Sequence, residues 1–151
     1  MELAQARQLA INHMVKHGLI NLGWRFEFDS AKRRFGVCKH RAKVIGLSKH
    51  LVELNTEVEV NDVILHEIAH ALVGKGHGHD FVWKRKAAEI GAKPERCYDD
   101  TVAVPKGNYT AICANGHEHA RFKAPKKKQS CGLCSRRFDE RFLLVWKKDG
   151  E

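Results

Sequence analysis

The sequence predicts an α+β fold in two parts, a helix-and-sheet domain over residues 1–104 and a small basic, metal-stapled segment over residues 105–151. Three observations carry this. Apolar residues recur at helical spacing in some stretches and alternate with charged ones in others, two histidines stand one helical turn apart in one helical stretch, and cysteines and histidines pair up near the C-terminus. A chain of 151 residues with 43% apolar composition can bury one modest core, which excludes several large domains.

The elements follow in order. Leu3, Ala6, Ala10, Ile11 and Met14 mark an amphipathic helix that Gly18 stops. Trp24, Phe26 and Phe28 alternate with Arg25, Glu27 and Asp29, the period of a half-buried strand. A turn over Asp29 to Arg34 leads to a second strand through Phe35 and Val37, and a third at Val44 to Leu47 completes what is expected to be a small antiparallel sheet. Thr56 and Glu59 have the spacing of a capping box and open a helix running to Val73, where Gly74 ends it. Asp80 caps another helix, Phe81 to Ile90, closed by Gly91. Residues 97–107 read as a linker.

Within the helix ending at Val73, His66 and His70 lie four residues apart, on one face and one turn from each other, as two ligands of a metal ion require. Glu67 sits about 100° round the helix from His66, so its carboxylate reaches a water at the metal without being a ligand itself. Zinc lowers the pKa of water, and a carboxylate so placed can take the proton as the water attacks a carbonyl. Ile64, Ile68 and Leu72 fall on another face and anchor the helix in the core. A catalytic zinc keeps three protein ligands and an open fourth position. Gly74 and Gly76 allow a sharp return of the chain, which makes His77 the expected third ligand, with His79 and Glu89 as the alternatives.

The string Leu65 to Leu72, then Gly76-His77-Gly78 and, two residues on, Phe81, resembles the SprT-like (Spartan-type) zinc metalloprotease family. The resemblance extends to the upstream strands, to Ile45-Gly46-Leu47-Ser48 and to the cysteine-rich segment, so it spans most of the chain. It implies a zincin-like minimal metalloprotease domain, His66, His70 and His77 as ligands, Glu67 as catalytic base, and an endopeptidase acting on proteins at or near DNA. The interval between His70 and His77 is shorter than in Spartan-type members, which makes this a compact variant.

Cys113 and His117 are separated by three residues and Cys131 and Cys134 by two, the spacing of a closed Cys3His zinc site that holds a fold together. His119 is the alternative to His117, which Gly116 favours by suiting a tight turn. Two zinc ions, one catalytic and one structural, are therefore expected. Cys38 and Cys97 stand apart and read as ordinary thiols.

The net charge of +9 is uneven: residues 106–151 hold 11 Lys/Arg against 5 Asp/Glu, residues 1–105 hold 16 against 13. A positive field of that density attracts polyanions, DNA foremost. Tyr109, Phe122, Phe138, Phe142 and Trp146 are interspersed with the basic residues; the last three read as the small core of a zinc ribbon, and Lys126 to Lys128 as the docking run. Charged residues interrupt the first 19 positions, and no apolar run approaches the ~20 residues of a membrane span. A cytoplasmic (or nucleoid or nuclear) protein with no membrane partner is the expectation. Competing with the peptidase are a non-catalytic nucleic-acid-binding zinc protein and a metal-dependent hydrolase of other substrates.

Overall fold

The computed structural model describes residues 1–95 and 102–149; Cys97 and part of the expected linker lie outside these. The chain divides into two compact units, Met1–Pro105 and Lys106–Glu151. Asn55 shows why residues 102–103 belong to the first. Its buried side-chain amide donates to the carbonyl of Ala103 at 2.7 Å and accepts from the Ala103 N–H at 2.7 Å, which ties that segment to the N-terminal core.

In the N-terminal unit the order is α1 (Leu3–Lys16), β1 (Arg25–Asp29), β2 (Gly36–Lys39), β3 (Val44–Ser48), α2 (Lys49–Leu54), α3 (Glu57–Val73) and α4 (Phe81–Ile90). The sheet is mixed, which corrects the expected antiparallel one. Its order is β1-β3-β2, with β3 antiparallel to β2 and parallel to β1. The chain leaves β1, forms β2 at the edge and returns through a tight turn to place β3 in the middle. Alternation reveals which face a strand buries, but not which neighbour it takes.

Opposed residues of a ladder share a face, so Phe26, Phe28, Ile45 and Leu47 point together, with Gly36 and Cys38 continuing their rows onto β2. That face packs on the helices. Ala6, Ala10 and Met14 of α1 and Val60, Ile64 and Ile68 of α3 join it in one buried cluster. The spacing of four between Val60, Ile64 and Ile68 commits one stripe of α3 to the sheet. Leu65 and Ala69 face the other way, against Trp83 and Ala87 of α4.

Caps fix the helix ends. The Thr56 N–H donates to Glu59 Oε2 at 2.7 Å, half of a capping box that opens α3. Asp80 Oδ1 accepts from the Trp83 N–H at 3.0 Å and opens α4. α2 was not expected, because six residues are too few to show a period; Ser48 caps it by accepting from the Leu51 N–H at 3.3 Å.

The C-terminal unit contains β4 (Tyr109–Ile112), β5 (Glu118–Arg121) and β6 (Lys147–Lys148), in a sheet ordered β5-β4-β6 with both pairs antiparallel. Its core is small: Ala111, Cys113, Cys131 and Leu144, with Cys134, Phe142 and Trp146 packed against them. Phe142 and Trp146 thus take the expected core role. Phe138 does not, being 55% exposed.

Candidate metal centres

α3 brings His66 and His70 to its α4-facing side, and the loop after it adds a third imidazole. That third residue is His79. Its Nε2 lies 3.0 Å from His66 Nε2 and 3.2 Å from His70 Nε2. The three potential ligand atoms all fall within 4.8 Å of one another.

His77, expected in that place, is elsewhere: its Nδ1 meets Asp80 Oδ2 at 2.7 Å on the surface. The cause is the α4 cap. Asp80 uses one oxygen on the Trp83 N–H and the other on His77, which draws His77 outward, while His79, just before the cap, turns inward over Trp83. His77 still contributes its backbone, which hydrogen-bonds the His70 ring. Glu89 is not among the converging groups and pairs with Lys86 at 2.8 Å.

Three Nε2 atoms facing one another cannot all be satisfied by hydrogen bonds among themselves, since a neutral imidazole offers one donor and one acceptor. A cation at their centre resolves this. Tetrahedral zinc with ~2.05 Å bonds to nitrogen spaces its ligand atoms about 3.3 Å apart, close to the separations found. Burial, reinforced by the neighbouring imidazoles, pushes His66 down to about 3 and His70 to about 4. Both are therefore neutral at physiological pH, the form in which a histidine binds metal.

Trp83 is the floor of this cluster. It is fully buried, with ring centroids 4.6 Å from His66, 5.1 Å from His70 and 4.5 Å from His79. The sequence signalled only that it lies on the helix capped by Asp80, so its place under the histidines was missed.

Glu67 is 5% exposed and leans toward β2. Burial raises its carboxyl to about 8, with the Arg34 guanidinium opposing the rise. A divalent cation nearby adds to that opposition and favours the carboxylate. Room for the side chain comes from Gly36, where a Cβ would stand 2.7 Å from Glu67 Oε1 and 2.8 Å from Val63 Cγ1. Gly36→Ala is therefore expected to cost about 1–3 kcal/mol by overpacking and to displace Glu67. Denaturant unfolding checks the first effect. Activity falling further than the folded fraction checks the second.

In the C-terminal unit, Cys113, His117, Cys131 and Cys134 bring four potential ligand atoms within 4.8 Å of one another. His117 Nδ1 lies 3.5 Å from Cys113 Sγ, 3.6 Å from Cys131 Sγ and 3.3 Å from Cys134 Sγ. The Cys113–Cys134 sulfur separation is 3.7 Å. These are the edges of a tetrahedron about the size zinc fills, with Zn–S bonds of ~2.3 Å. A turn closed by the Gly116 N–H on the Cys113 carbonyl, with Gly116 at φ 81°, returns His117 to Cys113. His119 sits outside the four and meets Cys131 Sγ through Nε2 at 3.2 Å.

Fold and sites together define an α+β protein that, among its described residues, brings together a three-histidine cluster and a Cys3His cluster, each able to hold a metal ion. The SprT-like family model matches residues 4–103, about two thirds of the chain, and the chain belongs to the SprT-like family, whose members are of metalloprotease type. No curated protein matches this sequence.

Proposed function

We propose that this protein is a zinc-dependent metalloendopeptidase with a zincin-like catalytic domain, acting on proteins at or near DNA. Zinc would be held by His66, His70 and His79 in the N-terminal unit and by Cys113, His117, Cys131 and Cys134 in the other. The observation that carries the reading is the convergence of three imidazole nitrogens, with the buried carboxylate of Glu67 next in sequence to the first of them, within a family of metalloprotease type. Zinc, when bound, supplies a Lewis acid that acidifies water and polarises the scissile carbonyl. Glu67 takes the proton of the attacking water and later delivers it to the leaving amine. Among the described residues β2 is an edge strand of its sheet, the kind of position at which an extended peptide can add as a further strand. The second zinc, closed by four protein ligands, holds the C-terminal unit together.

The direct test is to incubate the zinc-loaded protein with a histone, with and without DNA, beside Glu67→Gln. Cleavage by the native protein alone supports the reading. Equal yields from the two proteins would leave the chain a non-catalytic nucleic-acid-binding protein.

Native protein should contain two zinc ions. Cys131→Ala should lose one and unfold the C-terminal unit, whose core is too small to stand alone; elemental analysis and limited proteolysis measure both.

The DNA association rests on the basic C-terminal segment. Lys126, Lys127 and Lys128 are exposed and border an open groove of about 390 Å³ with Tyr109 and Trp146. Changing the three lysines to glutamine should weaken duplex binding and reduce the slope of log K against log salt by up to about 3, with little change in sequence preference. Superimposable salt titrations would instead make these lysines a solvated surface. Among the described residues no helix is long and apolar enough to cross a membrane, and we place the protein in the cytoplasm or at the nucleoid or nucleus.

A further inference from the structure

Trp83 lies in the first turn of α4, where the Asp80 cap takes its backbone N–H at 3.0 Å. Its side chain is fully buried in the packing of α4 on α3, clustered with Leu65, Ala69 and Ala87. Leu65 and Ala69 each precede a metal-facing histidine by one position, so the contacts that join the two helices also hold the indole beneath His66 and His70. All three imidazoles meet it, each in a different way. His70 is stacked at 26°, His66 tilted at 58° and His79 edge-on at 87°, with ring centroids 5.1, 4.6 and 4.5 Å away.

The torsion that turns an imidazole about its Cβ–Cγ bond has broad minima, so the direction of Nε2 is set by what the ring touches. Stacked and edge-on contacts at these separations are the two arrangements that aromatic pairs favour, and a ring held in one of them loses that freedom. The indole serves at a cost. Its Nε1–H is buried and finds no acceptor among the described residues. A buried donor left unsatisfied lowers stability, and phenylalanine would line much of the same space without one. What phenylalanine lacks is the second ring, and with it the breadth to meet three imidazoles together.

We propose that Trp83 is a positioning residue of the N-terminal metal site. It holds the three Nε2 atoms in the arrangement of a tetrahedral cation ahead of binding. In doing so it makes the site select zinc over nickel(II), which favours planar or octahedral surroundings. Imidazoles free to turn would adapt to either cation, and geometry would lose its part in the choice. This rests on the zinc assignment above and not on peptide cleavage.

The test titrates metal-free full-length protein, Trp83→Phe and Trp83→Leu with zinc and with nickel(II) against a chromogenic chelator, under reducing conditions. His66→Ala, which lacks one of the three ligands, supplies the background from the Cys3His site. Trp83→Leu should bind zinc at the histidine site about 10–100-fold more weakly, the range for losing a group that orients a ligand. Nickel(II) affinity should fall less, so that the nickel-to-zinc ratio rises several-fold, and Trp83→Phe should lie between Trp83→Leu and native protein in both respects. The ratio separates positioning from packing. If Trp83 only stabilised the fold, replacing it would weaken both metals by one common factor, and an unchanged ratio in the two variants would overturn the proposal. Native zinc affinity in Trp83→Leu would overturn it as well. Should Trp83→Leu fail to fold, Trp83→Phe decides by the same ratio. Native protein that titrates like His66→Ala would remove the histidine zinc site and the proposal with it, whereas a native site indifferent to both substitutions would remove the proposal alone.

Discussion

His79→Ala is expected to strip the N-terminal unit of its metal, whereas His77→Ala keeps it. His79 Nε2 lies 3.0 and 3.2 Å from the other two imidazole nitrogens, so its removal leaves two protein ligands where zinc needs three. Losing a group that merely hydrogen-bonds a ligand typically costs 10–100-fold in metal affinity, so the loss of a ligand itself should exceed ~100-fold. His77 contributes to this site through its backbone, which alanine retains, and its side chain is tied to an exposed carboxylate. Its substitution should change affinity by no more than about threefold, since exposed ion pairs are worth little. Competition against a chromogenic chelator measures both variants. Tight metal binding by His79→Ala and not by His77→Ala would require the loop to close differently when metal is bound.

Glu67→Gln should separate chemistry from binding. The amide preserves the size of the side chain beside Gly36 but cannot accept a proton from water, and general-base assistance is typically worth ~10²–10⁴-fold. Turnover should fall by at least that order. Zinc content should stay native, because Glu67 is not among the three converging groups. Thermal stability should hold or rise, since a carboxylate buried to 5% exposure is exchanged for a neutral amide. Steady-state kinetics and elemental analysis on one preparation suffice, and turnover at the native rate would remove Glu67 from the mechanism.

Much of this was legible along the chain because it depends on local rules. The Thr56/Glu59 capping box, the stop at Gly74 and the four-residue interval between His66 and His70 place two imidazoles on one helix face without knowledge of any tertiary contact. The Cys3His spacing does the same for the second cluster. Tertiary choices were less visible. The parallel pairing of β1 with β3 depends on which edge the intervening strand occupies, and alternation is blind to that. The selection of His79 over His77 turned on Asp80, whose capping role was foreseen; its second oxygen, holding His77 on the surface, was not. Trp83 and Gly36 escaped notice because each matters through what it faces across the fold.

The pairing of Gly36 with Glu67 is a liability under genetic drift. A buried carboxylate lowers the stability of the fold that carries it, and a glycine in a strand forgoes the packing that any side chain would add. If Glu67 serves the proposed reaction, a lineage that no longer needed it would gain stability by exchanging the carboxylate for an amide or apolar group, and would then have no reason to keep the facing position bare. The metal ligands would decay on a different schedule, because losing any of them removes binding energy from the folded state. Relatives with intact histidines and cysteines but an altered pair at these two positions would be lineages that kept the scaffold after giving up the catalyst.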